Sequence, residues 1–186
     1  MTMRIRTLLL PALLLVLGTS CKRPSDAGHV ATIDSLLAVT DSLINGMNAI
    51  DRAELGRIDS IYQSRQDALA ERMKDTLNKP AALILANYRR AMTKSLGRVN
   101  KDFEDVMKEL STTKSQLDDL RADVLASVHE PAVEQSYVGQ EKLAVASIRH
   151  RASVLANSAL TTLREHKRLS PAVDSLLAQV DTTSHP

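Results

Sequence analysis

Apolar residues recur in steps of three and four over most of this chain. Ile33, Leu36, Leu37, Leu43, Ile44, Met47, Ile50, Leu55, Ile58, Ile61, Tyr62, Leu69, Met73 and Leu77 mark one face of a long helix, with Asn45-Gly46 as its candidate break. Asn78-Lys79-Pro80 ends that run and starts the next, because Pro cannot continue a helix but suits its first turn. The second run keeps a seven-residue register. One position is Ala82, Arg89, Leu96, Phe103, Leu110, Leu117 and Val124; the other is Leu85, Met92, Val99, Val106, Thr113, Leu120 and Ser127. A register held this long predicts coiled-coil-like packing. A helix over 80–128 would be about 73 Å long at 1.5 Å per residue.

His129-Glu130-Pro131 stops that helix. A third run carries Val145, Ile148, Ala152, Leu155, Ala159, Leu163 and Leu169, with Gly139 a candidate break in its first turns. Ser170-Pro171 reads as a cap followed by Pro, the start of a short last helix with Val173, Leu176, Leu177 and Val180. Asp181 to Pro186 reads as a loose tail. Short connections make helices antiparallel neighbours. The expectation is therefore an all-α, elongated, antiparallel three-helix, coiled-coil-like bundle over 30–180, with a short fourth C-terminal helix. Asp34-Ser35-Leu36-Leu37-Ala38 recurs at Asp174-Ser175-Leu176-Leu177-Ala178, which we read as ordinary polar-polar-apolar helix patterning rather than a repeat.

The start of the chain has a different pattern. Met1 to Arg6 is basic, Leu8 to Leu17 is nearly all Leu, and Gly18, Thr19 and Ser20 precede Cys21, the only cysteine. A basic start, an apolar run and a small-residue exit compose a secretory signal peptide. The run is too short for a bilayer span, which needs about 20 residues. Leu17-Gly18-Thr19-Ser20-Cys21 resembles the signal of bacterial lipoproteins, with Gly18 where that family usually has Leu. The resemblance covers residues 1–21 only. It implies that 1–20 are removed and that Cys21 carries a diacylglycerol and a fatty acid such as palmitate. It also implies an exported protein held in the cell envelope, with Lys22 after the cysteine favouring the outer over the inner membrane. Residues 21–29 then form a lipid-anchored tether. Two or more acyl chains make a stable anchor.

Composition adds exclusions. Aromatic residues make up 2% of the chain and Trp is absent, which suits helices rather than sheets or cofactor pockets. The chain has 24 basic and 22 acidic residues; removing Arg4 and Arg6 with the signal leaves 22 of each. A nucleic-acid binder would be distinctly basic. Acidic residues concentrate over 102–123 and basic ones over 142–168, and a hairpin turning near 130 brings these sets together, 110 against 150.

Chemistry-bearing constellations are sparse. His29, His129, His150, His166 and His185 show no metal-ligand spacing, and no nucleophile elbow, phosphate loop or dinucleotide fingerprint is present. Tyr62, Tyr88 and Phe103 fall on the apolar stripes and read as core. No cofactor, metal or catalytic residue is expected, and the chain reads as no enzyme. The one candidate surface is basic: Arg89, Arg90, Lys94, Arg98, Arg164, Lys167 and Arg168 fall at one level, away from the anchor, where they could bind an anion. The function expected is a structural or protein-interaction element. Its partners would be the membrane through Cys21, another envelope protein, the cell wall or a second copy. The alternative is an apolar ligand or unfolded chain held between splayed helices, with Met47, Met73, Met92 and Met107 as an adaptable lining.

Overall fold

The computed structural model describes residues 26–72 and 78–183; Cys21, Met73 and His185 lie outside them. The described residues are helical throughout apart from short links. The helices are α1 (Ala27–Asn48), α2 (Arg52–Arg72), α3 (Lys79–Ala91), α4 (Gly97–Ala126) and α5 (Pro131–Thr183). A π-helical segment, Met92–Leu96, joins α3 to α4.

Local chemistry sets the boundaries. Helix α1 starts at Ala27, earlier than the expected end of the tether, because the Asp26 carboxylate accepts from the backbone N–H groups of Gly28 and His29 at 2.8 and 3.1 Å. The break in the first apolar run falls at residues 49–51, not at Asn45-Gly46. There, Asp51 caps α2 by accepting from Glu54 N–H at 2.8 Å. Asn78 caps α3 from the Ala81 N–H at 3.0 Å, with Pro80 in the first turn. Ser127 ends α4 in the left-handed region, φ 54°.

Two expectations for the C-terminal part are corrected. Gly139 does not interrupt α5, and Ser170-Pro171 does not open a fourth helix; α5 runs unbroken through both and on to Thr183. Packing explains the continuity at Pro171. Ile148, Ala152, Leu155, Ala159, Thr162, His166, Leu169 and Val173 are buried at alternating steps of three and four, so the core stripe crosses the proline without losing phase. Pro171 and Lys167 are exposed, so the carbonyl that the proline leaves without a partner faces water.

The π-helical segment corrects the heptad register. From its last residue onward, Leu96, Val99, Phe103, Val106, Leu110, Thr113, Leu117, Leu120 and Val124 are buried, as the pattern predicts. Upstream, the buried residues are Ala81, Tyr88 and Ala91, followed by Met92 at the start of the segment, while Ala82 and Arg89 are exposed. A π turn holds one residue more than an α turn. The stripe therefore slips by one, and Tyr88 takes the inward place that an unbroken heptad assigns to Arg89.

Side-chain pairs give the packing order. From α1 and α2 to α3 and α4 run Asp34–Arg121, Asp41–Lys114, Asp59–Asn100 and Arg65–Tyr88; the partner number falls as the chain number rises. From α3 and α4 to α5 the pairs Tyr88–His166, Arg98–Ser158 and Glu109–Arg151 fall in the same way. His29–Gln135 and Arg65–Asp174 join α1 and α2 to α5 with numbers rising together. Two apolar clusters fill the space between. The larger includes Leu55, Tyr62, Tyr88, Phe103, Leu110, Leu155 and Val173; the smaller includes Ile33, Leu117, Val124 and Val145. Met47 and Met92 are buried in the larger cluster and Met107 packs against it. Among the described residues no helix is long and apolar enough to cross a membrane.

Candidate functional site

Beside the π-helical segment, α2, α3 and α5 share a polar network at the edge of the apolar core. Arg65 donates from Nη1 to the Tyr88 hydroxyl at 2.8 Å, and from Nη2 to Ser170 Oγ at 2.6 Å and Asp174 Oδ1 at 2.5 Å. The Tyr88 hydroxyl lies 3.2 Å from His166 Nδ1. The phenol can donate to Nδ1 while it accepts from the guanidinium, an arrangement that places the proton of a neutral ring on Nε2. The Arg65 guanidinium also lies over the Tyr88 ring, 5.5 Å from its centre, and Tyr62 meets that ring edge-on at 5.8 Å.

Electrostatics hold both titratable groups of this network neutral. Burial pushes the His166 pKa below the ordinary 6.5, and the charges of Arg65 and Arg57 add to it against Glu54 and Asp174. Burial raises the Tyr88 pKa above 10.0, more than the bond from Arg65 lowers it. The network is thus uncharged except for the Arg65–Asp174 pair at its rim. It can pin three helices beside a π-bulge, a feature frequent at functional sites. Sequence reading missed Arg65, Ser170 and Asp174 as members. The one signal pointing to the place was the clash of Arg89 with its heptad position.

The expected basic surface is divided by the fold. Arg90, Lys94 and Arg168 line one open groove of about 340 Å³ together with Asn87, Thr161 and Glu165. Glu165 takes part of that charge: Arg168 Nη2 donates to it at 2.5 Å and Arg164 Nε at 3.1 Å, and these bonds hold its carboxyl below the usual range. Arg98 turns inward to donate to Ser158 Oγ at 3.2 Å. Lys167 lines a second groove with Glu54, Arg57 and His166. Arg89 is exposed and lines neither groove. Three of the seven basic residues therefore converge, with one carboxylate among them.

Several other charges pair between helices. Glu109–Arg151 joins the acidic and basic stretches near the level the hairpin predicts. Lys114 and Arg121, however, turn to Asp41 and Asp34 of α1. Asp34, Asp41 and Asp174 all begin an Asp-Ser-Leu sequence, and each bridges to a cation of another helix. Two glutamates occupy the inward stripe of α5: Glu134 is buried near His29, 3.6 Å from its Nδ1, and Glu141 has one buried carboxylate oxygen without a hydrogen-bond partner. Burial raises the Glu141 pKa.

Among the described residues no three His, Cys, Asp or Glu side chains converge as metal ligands. Comparison with protein-family models, with curated proteins and with solved structures finds no match to this chain.

Proposed function

We propose that the chain is a lipid-anchored protein of the bacterial cell envelope. It would be exported by the segment before Cys21, acylated at Cys21 and carried in the outer rather than the inner membrane. The domain would be an elongated, antiparallel three-helix bundle that stands about 70 Å off the membrane and presents helix faces to another envelope protein, the cell wall or a second copy. Its role is structural or protein-interacting and not catalytic, with no cofactor and no nucleic acid.

The order of side-chain pairs carries this reading. Numbers fall together between the first arm (α1 and α2) and the second (α3, the π segment and α4), fall again between the second and α5, and rise together between the first arm and α5. That order supports three full-length arms side by side. The network at Tyr88 supports a pinning role, because Arg65, Tyr88, His166, Ser170 and Asp174 bond one another across three helices. The Arg90–Lys94–Arg168 groove is the face we assign to an anionic partner such as a cell-wall polymer.

The test is fractionation of the full chain and of Cys21→Ser, each expressed in a bacterium. The wild type should float with membranes and its processed N-terminal peptide should carry the mass of diacylglycerol and a fatty acid. Cys21→Ser should lose both. A variant that floats as well as the wild type would refute the anchor.

A further inference from the structure

The link between α4 and α5 forms an apolar tip. Leu125 in the last turn of α4, Val128 in the link, and Val133 and Tyr137 in the first two turns of α5 are all exposed. The other large apolar side chains exposed among the described residues, Leu83, Leu143 and Leu160, stand singly. Scattered apolar residues are ordinary, whereas four at one helix end form a patch. Tyr137 is braced by an edge-on contact with the His129 ring, 5.3 Å between centres.

This tip lies where α1 begins. His29, in the first turn of α1, bonds Gln135 of α5 at 2.9 Å. Cys21 precedes the α1 cap, Asp26, by five residues, which span at most about 17 Å. A lipid on Cys21 therefore brings the tip to the membrane surface, with no room for a further domain between them.

We propose that the tip is a second membrane contact. Leu125, Val128, Val133 and Tyr137 settle into the interfacial layer beside the acyl anchor and so fix the tilt of the rod. The inference rests on the lipid-anchor reading above. Asp26, Asp123 and Glu130 belong to this end and Lys22 and Arg23 adjoin the anchor, so the charge there is mixed and apolar burial rather than attraction to anionic lipid drives the contact. Zwitterionic vesicles should serve, and salt should matter little.

The chain has no Trp, so one introduced Trp reports its own surroundings. The acylated chain bearing Val128→Trp would be reconstituted on phosphatidylcholine vesicles with brominated acyl chains. Tyr137→Trp is the second tip probe. Leu83→Trp is the control: at 61% exposure it matches Val128 at 59%, and it lies about 60 Å up the rod. Both tip probes should be quenched at least about twofold more than the control, since interfacial side chains sit about 5–10 Å into the boundary. Flotation with equal quenching at all three positions would overturn the tip contact and leave the anchor standing. Failure to float would overturn both. A blue shift at the tip that needs no vesicles and grows with protein concentration would assign the patch to a second copy and overturn the proposal.

Discussion

The Tyr88 hydroxyl lies 3.2 Å from His166 Nδ1, across the gap between α3 and α5, at the point where the second arm carries its extra residue. With Arg65 on the other side of the phenol, one oxygen ties three helices together. Replacing that hydroxyl leaves a buried guanidinium N–H and a buried imidazole nitrogen without their partner. Tyr88→Phe should destabilise the fold by about 1–3 kcal/mol. Tyr62→Phe, whose hydroxyl meets only Gln66, should cost less. Denaturant titration of the two variants decides it; equal costs would contradict the network.

His166 gives the fold a pH dependence of definite sign. Its folded pKa is depressed, so its contribution is present above the ordinary value of 6.5 and is lost as pH falls through the folded value. Stability curves of wild type and His166→Gln should run parallel above pH 7 and converge as the pH falls below 6.5. Curves that diverge there would reverse the assignment.

Glu141 has the opposite dependence. Burial raises its pKa, so the folded state favours the protonated acid, and the associated stability is lost as pH rises through that raised value. At neutral pH the carboxylate is a cost, because one oxygen is buried without a partner. Glu141→Gln should raise the melting temperature at pH 7 and lose most of that gain in acid. A melting temperature lowered at pH 7 would contradict this.

The extra residue at Met92–Leu96 can be removed. Deleting exposed Lys94 turns the π turn into an α turn while keeping Tyr88 and Leu96 on one stripe. Such a deletion should change stability by less than about 1 kcal/mol, whereas deleting exposed Lys108 from regular helix rotates the whole upstream stripe by about 100° and should prevent folding. Circular dichroism and thermal melts of the two deletions separate these outcomes.

Apolar contacts, not ion pairs, should dominate the stability of the seam. Leu110→Ala, at a fully buried position, should cost about 2–5 kcal/mol. Arg151→Ala or Arg121→Ala, each removing a solvent-exposed pair, should shift the denaturation midpoint far less.

The helical arms were legible because seven-residue spacing is a long-range signal: Leu96 to Val124 lie inward as the pattern places them. Boundaries set by one side chain were less so. Asp26 and Asp51 cap helices that periodicity alone starts or breaks a few residues away. Ser170-Pro171 misled because a local cap-and-Pro start signal was overridden by Leu169 and Val173, buried in one cluster on either side. Arg89 misled because a π turn leaves no compositional mark, only a mismatch between stripe and residue type. The basic surface was read by level along the helices, whereas the turn of each helix decides which face a charge occupies, so Arg90, Lys94 and Arg168 meet while Arg98 and Lys167 turn elsewhere.

Small-angle scattering of the chain starting at Lys22 tests the central claim, that three arms run side by side along one rod. A rod about 73 Å long gives a radius of gyration of about 22 Å. A compact domain of the same size gives about 15 Å. A value near 22 Å at low concentration is the result predicted; one near 15 Å would contradict the rod and the reach that its proposed role needs.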